Sequence, residues 1–361
     1  MALQCGIVGL AGSGKTTLFN SLSRGKGLSG QVPGRTNLGQ FDVPDPRLEA
    51  LTRVVKPQKV VPTTVNIIDI PGLQKGGSKI KGGNQFLSDI RQTDAIIHVL
   101  RCFDDDTVPH LEGSVNPARD KEIIDLELIT RDMESLEKKL ERLGRMAAVG
   151  DKDAKKGADV LKGLMDHFEN GLPARTFPIQ DADRTFIEDS FLLTIKPVIY
   201  VCNVDEQAAG KGNPYSDSVK KAIEEEGCEM LIVAALAESE IATLESEEDR
   251  MDFLKDLGLE EPAVDKLIRA AYKTLKLQTF FTEGPKEVRA WTIKEGTLSP
   301  RAAGVIHSDM ERGFIRAEVM RVEDFLELGS ENACKQAGKF RIEGKTYTVQ
   351  DGDIFHVRFN V

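Results

Sequence analysis

An α/β fold built on a parallel sheet, with a helical hairpin inserted into it and a small α+β unit at the C-terminal end, is what this sequence predicts. Three observations carry that reading. Gly9-Leu10-Ala11-Gly12-Ser13-Gly14-Lys15-Thr16 fits G-x-x-x-x-G-K-[ST], between an apolar run, Cys5–Val8, and a helix-like run from Thr17 to Leu22. Strand, glycine loop and helix in that order mark a phosphate-binding P-loop and with it a P-loop NTPase sheet. Four more apolar runs (Val60–Ile68, Ala95–Leu100, Pro197–Cys202 and Met230–Ala234) end in polar turns, as strands buried on both faces do. Between the third and fourth strands the period changes to coiled-coil spacing.

The glycines of the first loop let backbone N–H groups turn inward around phosphate oxygens, and the helix start adds partial positive charge. Gly12, Ser13, Gly14, Lys15, Thr16 and Thr17 are therefore the expected phosphate-binding residues, with the Lys15 ammonium on the terminal phosphates and the Thr16 hydroxyl on Mg²⁺. The second strand ends in Asp69-Ile70-Pro71-Gly72, a D-x-x-G element in which Asp69 would hold Mg²⁺ and the Gly72 N–H would touch the γ-phosphate. In the loop before it, Gln31–Asn37, Thr36 is the candidate switch threonine and third metal ligand. The glycine- and lysine-rich loop Lys75–Gly83 is the expected second switch. Leu73 stands where many GTPases place a water-orienting glutamine, so the chain must be slow alone, use another residue or need a partner.

The fourth strand ends in Asn203-Val204-Asp205-Glu206, where GTPases carry N-K-x-D. Glu206 replaces the guanine-reading aspartate and Val204 the lysine, which relaxes guanine selectivity and points to adenine or to weak selectivity. The fifth strand leads into Ala235 and Leu236, the last base-contacting loop.

Residues 121–185 read as the inserted hairpin. Ile129, Met133, Leu136, Leu140 and Leu143 form one seam, Ala154, Ala158, Leu161, Met165 and Phe168 another, and Gly150–Asp153 the turn. Plain packing of these helices on the sheet is the alternative. The expected nucleotide domain is 1–120 with 186–277. Residues 278–361 form the small α+β unit, with strand-like runs at Val288–Ile293, Phe340–Ile342, Tyr347–Val349 and Ile354–Phe359 and a helix at Arg301–Ile306.

Composition narrows the class. The chain has 361 residues, 40% hydrophobic and 29% charged, with a formal net charge of −10, which argues against a protein that coats nucleic acid. The charge is uneven: residues 1–60 hold eight Lys/Arg against three Asp/Glu, and 222–261 hold fourteen Asp/Glu against two Lys/Arg. No apolar run reaches the ~20 residues that span a bilayer. The five scattered cysteines suggest neither zinc nor a disulfide framework. No membrane partner, a cytoplasmic location and a monomer are expected, although oligomeric state leaves no signal in the sequence.

Several stretches resemble the YchF family, the Obg-like ATPases: Pro44-Asp45-Pro46-Arg47-Leu48, Asn84 to Arg91, Arg101-Cys102-Phe103, Asn203 to Glu206, Gly284 to Trp291, Ala303 to Asp309 and Gln350 to Asp353. The resemblance covers nearly the whole chain. It implies a C-terminal TGS domain of β-grasp fold, slow hydrolysis of ATP and sometimes GTP, and association with the ribosome. It also implies a hydrophobic residue at Leu73 and a catalytic histidine at His110, for which a solvated loop residue is the alternative. Three departures stand out. Gly12 lacks the asparagine side chain expected to hold a monovalent cation, so K⁺ stimulation is left open. Pro71 replaces the usual alanine, and residues 31–39 differ from the usual first switch. A guanine-selective GTPase and an RNA-binding scaffold with a weak nucleotide site are the competing readings.

Overall fold

The computed structural model describes residues 3–22, 36–73, 83–244 and 246–360. The strands, numbered along the chain, are β1 (Gln4–Val8), β2 (Asn37–Asp42), β3 (Lys59–Val61), β4 (Thr64–Asp69), β5 (Ala95–Cys102) and β6 (Val198–Val204). They continue with β7 (Glu229–Val233), β8 (Leu277–Thr282), β9 (Glu287–Lys294), β10 (Phe314–Arg321), β11 (Arg341–Glu343) and β12 (Asp353–Phe359). The first five helices are α1 (Lys15–Ser21), α2 (Pro46–Val55), α3 (Gly83–Arg91), α4 (Pro117–Ala148) and α5 (Lys152–Glu169). Two compact units result, Met1–Gly39 with Asn66–Leu267, and Gln40–Val65 with Ile268–Val361.

In the first unit the sheet order is β2-β4-β1-β5-β6-β7. The β4-β1-β5-β6-β7 pairings are all parallel. Every residue of β5 and β6 is buried, which is why both read as unbroken apolar runs rather than alternating ones. The parallel register carries the strand ends, and with them Val8, Asp69 and Asn203, to one edge, the place where open α/β sheets bind ligands.

The hairpin satisfies both expectations at different heights. Asn116 caps α4 by accepting from the Arg119 N–H (3.2 Å), and Asp151 caps α5 by accepting from the Ala154 N–H (2.9 Å). Near its start α4 buries Ile124 and Leu128 in the sheet's own core. Further along, Ile129 and Leu136 meet Leu161 and Phe168, with Met133, Leu140, Leu143 and Met165 half-buried around them. The returning chain is fastened by Asp132, whose buried carboxylate accepts from the N–H groups of Leu193 (2.7 Å) and Thr194 (2.8 Å).

The second unit differs from the expected outline. Its sheet order is β11-β10-β12-β8-β9-β3. The run Val60–Ile68 is not one strand. Pro62 has no N–H to give a ladder, and the chain breaks there. β3 pairs in parallel with β9, Lys59 opposite Glu287, and only β4 joins the nucleotide sheet. Residues 40–65 thus pack with the C-terminal unit: Leu48 and Leu51 of α2 share a core with Phe281, Val288, Met320 and Ile354. Tyr347–Val349 forms only a bridge, Leu298 with Thr348. β2, β8 and β10 were not expected at all. Among the described residues no helix is long and apolar enough to cross a membrane.

Candidate nucleotide site

The loop after β1 and the first turn of α1 gather the phosphate-binding candidates. Gly14 caps α1 in the left-handed region at φ 89°. A Cβ there would stand 2.1 Å from Asn203 Nδ2, so no side chain is tolerated. Ser13 is buried and Thr17 half-buried, while Gly12 and Thr16 are exposed at the mouth of the loop. Lys15 is 6% exposed, and its ammonium donates to the Leu10 carbonyl at 2.7 Å. Burial pulls its pKa down to about 8, against the opposing pull of Asp69.

Thr16 and Asp69 meet across 53 residues of sequence: the threonine Oγ1 donates to Asp69 Oδ2 at 3.0 Å. The other oxygen, Oδ1, is buried with no hydrogen-bond partner among the described residues. Burial raises the carboxyl's pKa, while Thr16 and Lys15 draw it back. A hydroxyl and a carboxylate side by side, one oxygen open, are hard oxygen donors of the kind Mg²⁺ takes. Gly72 lies against the same group. A Cβ on it would stand 2.6 Å from Lys15 Nζ and 3.1 Å from the backbone nitrogen of Ala11, so the D-x-x-G glycine keeps this approach close. Leu73 is 4% exposed inside the sheet core and orients no water.

Asn203 sits at the centre of the base end. Its Nδ2 donates to the Ser13 carbonyl (3.0 Å) and its Oδ1 accepts from the Ala235 N–H (3.0 Å). The side chain thereby fastens the first loop to the last one rather than standing open to a base. Val204 points the other way, into the sheet core, so its side chain does not line a base. Asp205 is occupied with capping the next turn through the Ala208 N–H (3.0 Å). Glu206 is exposed, and Leu236, 70% exposed, supplies apolar surface at the start of the helix Ala235–Thr243.

Two candidates are held elsewhere in this structure. The Thr36 hydroxyl donates to Asp89 on α3, whose other oxygen accepts from Gln85 Nε2 at 2.6 Å. To reach a metal at Thr16 and Asp69, Thr36 must leave that carboxylate. Residues 31–35, 74 and 75–82, which contain the rest of both expected switches, lie outside the described residues. His110 is not solvated: its side chain is 7% exposed. Nδ1 accepts from the Glu112 N–H (3.1 Å), so Nε2 carries the proton and donates to Asp120 Oδ2 (2.9 Å).

Arg101 went unnoticed as a site residue in the sequence. Its buried guanidinium donates to the carbonyls of Phe103 (3.2 Å), Val108 (2.8 Å) and Asp105 (3.1 Å) and stacks 4.7 Å from the Phe103 ring. The loop it holds borders the phosphate loop: a Cβ on Gly12 would meet Val108 Cγ1 at 3.3 Å and Arg101 Nη1 at 3.9 Å. Its signals in the sequence were its place just after the apolar run Ala95–Leu100 and its membership of the Arg101-Cys102-Phe103 stretch.

A cavity of about 520 Å³ lies elsewhere, lined by Lys121, Asp125, His167, Thr176 and Glu226 among others. Lys121 and Arg175 both pair with Asp125 and Glu226 there. Its cations are already neutralised, so it does not suit a polyphosphate.

A profile described as 50S ribosome-binding GTPase matches residues 4–142. The C-terminal profile of YchF GTPases, described as a protein of unknown function, matches 277–360. Ribosome-binding ATPase YchF of Haemophilus ducreyi is 47% identical over the full length of both chains, that of Bacillus subtilis 48%, and that of Escherichia coli O157:H7 46%. The chain belongs to the YchF family. The solved Schizosaccharomyces pombe YchF GTPase superposes with a TM-score of 0.88 at 35% identity, covering 99% of this chain and 97% of that one. A Cβ on Gly12 would come within 3.3 Å of Val108 Cγ1 in the neighbouring loop.

Proposed function

We propose that this protein is a slow, Mg²⁺-dependent ATPase, with GTP a second substrate, whose nucleotide state governs binding to the ribosome. The observation that carries it is the pairing of Thr16 with Asp69 beside the buried Lys15 ammonium, next to a leucine buried where a water-orienting side chain would be needed. The first three residues would grip the phosphates and Mg²⁺, and the leucine sets the low rate. Similar proteins are named ribosome-binding ATPases, which supports both substrate and partner. Adenine acceptance follows from Glu206, since Asp205 is bound into its own turn. K⁺ stimulation stays an open point of this reading, because Gly12 offers no side-chain oxygen. A guanine preference is the competing reading, favoured by the GTPase description of the matching profile.

Paired titrations of ATP and GTP with Mg²⁺ test the substrate, and a tenfold preference for GTP refutes the adenine reading. Co-sedimentation with ribosomes in ATP, in ADP and in a non-hydrolysable ATP analogue tests the switch, which equal recovery in all three contradicts. His110 acts in catalysis on this reading only once released from Asp120. Turnover should then rise in Asp120→Ala and fall in His110→Ala at unchanged nucleotide affinity. Unchanged turnover in both leaves the histidine a purely structural peg.

A further inference from the structure

In the second unit, three side chains from distant parts of the chain converge. Glu283 follows β8, His356 lies on β12, and Glu331 opens the helix Glu331–Gln336. One ligand atom from each lies within 4.8 Å of the other two. His356 Nε2 is 3.8 Å from Glu283 Oε1, and Nδ1 is 3.9 Å from Glu331 Oε2. Both separations are too long for hydrogen bonds. Nε2 is nonetheless buried and has no partner among the described residues.

We propose that Glu283, Glu331 and His356 form a binding site for a divalent transition-metal ion, zinc before its weaker-binding neighbours, that ties β8 and β12 to the helix Glu331–Gln336. Imidazole with two carboxylates is a three-ligand set that zinc accepts, water completing the tetrahedron. Ligand bonds of about 2.0–2.1 Å place neighbouring donors roughly 3.3 Å apart, so the side chains need close by only about half an ångström to 1.5 Å. Such a shift lies within rotamer adjustment for two glutamates. Two cations stand nearby and are already engaged: Lys335 with Glu331 Oε1 and Arg358 with Glu318 (2.9 Å). The ion would leave Lys335 in place, because Oε2, not Oε1, faces the histidine.

Zinc is titrated into the full-length, nucleotide-free protein with Mg²⁺ in excess, followed by calorimetry and by thermal melting. One equivalent should bind and raise the melting temperature, since binding to the folded state alone stabilises it. Loss of support for a ligand costs about 10–100-fold in affinity, so loss of the ligand itself should cost at least about 100-fold. That loss is expected in His356→Asn and in Glu283→Gln, and Cys334→Ser should bind as the parent does. Glu283→Gln keeps the test valid if the histidine variant does not fold. Cobalt in place of zinc should give visible bands without thiolate charge transfer. No binding by the parent protein, undiminished affinity in the folded variants, or a thiolate band each overturns the proposal.

Discussion

Lys15 is asked to do two opposed things, to be buried and to be charged. Burial brings its pKa to about 8, so above that pH the folded free protein gives up a proton that the unfolded chain keeps until near its ordinary value of 10.5. Stability of the free protein therefore rises with pH across that window. Phosphate binding runs the other way, because it needs the ammonium. At pH 8 triphosphate binding should take up protons, seen as a dependence of calorimetric enthalpy on buffer ionisation, and Lys15→Ala should abolish the uptake and bind about 10–100-fold more weakly. Equal enthalpies in all buffers would contradict the buried-ammonium account. Arg101 makes a second test at this scale. Lysine cannot reach three carbonyls with one ammonium, so Arg101→Lys should loosen the loop beside Gly12. A misplaced loop costs rate more than affinity, roughly tenfold in kcat with nucleotide affinity nearly unchanged. A matching loss of affinity would mean that the arginine only supports the fold. The P-loop candidates could be picked out because a P-loop works through spacing and backbone, which a sequence displays. Arg101 and the Asp120 anchor of His110 were not, because their partners are carbonyls and a carboxylate set by tertiary packing.

The elements show a similar division. Strands buried on both faces, β5 and β6, announce themselves as apolar runs. Edge strands do not: β2 alternates its burial and β11 has only three residues, too short for any period. Pro62 shows how one residue redirects an element, since the run on either side of it is apolar enough to be read as one strand. The helix Ala235–Thr243 carries a further liability. Glu238 is 2% exposed, with Oε1 accepting from the Ala263 N–H (2.6 Å) and Oε2 unpartnered among the described residues. Burial lifts its pKa to about 7 from 4.5. Between those values the folded state holds the extra proton, so stability falls as pH rises through this window and stays low above it. Glu238→Gln should remove that dependence, raising stability at pH 8 by up to about 3 kcal/mol and changing it little at pH 5. Denaturant melts at the two pH values decide it; equal gains at both would show that the carboxyl's ionisation is not the cause.

At the scale of the whole molecule, the sequence order of segments conceals which unit each one stabilises. Asp45-Pro46-Arg47-Leu48 and Asp351-Gly352-Asp353 looked like separate family signatures. In the structure they are one contact: Arg47 donates to Asp45 (2.8 Å) and to Asp351 Oδ2 (2.6 Å) and lies over the Phe281 ring at 5.4 Å. Leu48 and Leu51 fill the core between β9 and the C-terminal helices, and β3 supplies the outer strand beyond β9. Removing a buried leucine costs about 2–5 kcal/mol, against a total stability of roughly 5–15 kcal/mol for a domain. Losing both, along with the Arg47 contact and a strand, should exceed what so small a sheet can spare. A fragment of residues 268–361 is therefore expected not to melt cooperatively, and a second fragment joining 40–65 to 268–361 through a short flexible linker should restore a cooperative transition. Within the joined fragment, Leu51→Ala should lower the midpoint sharply and Arg47→Ala modestly, because the first leaves a cavity and the second breaks a half-exposed ion pair. Circular dichroism and amide dispersion in NMR spectra measure both steps. A well-dispersed, cooperatively melting 268–361 fragment would show that the N-terminal excursion decorates this unit instead of completing it.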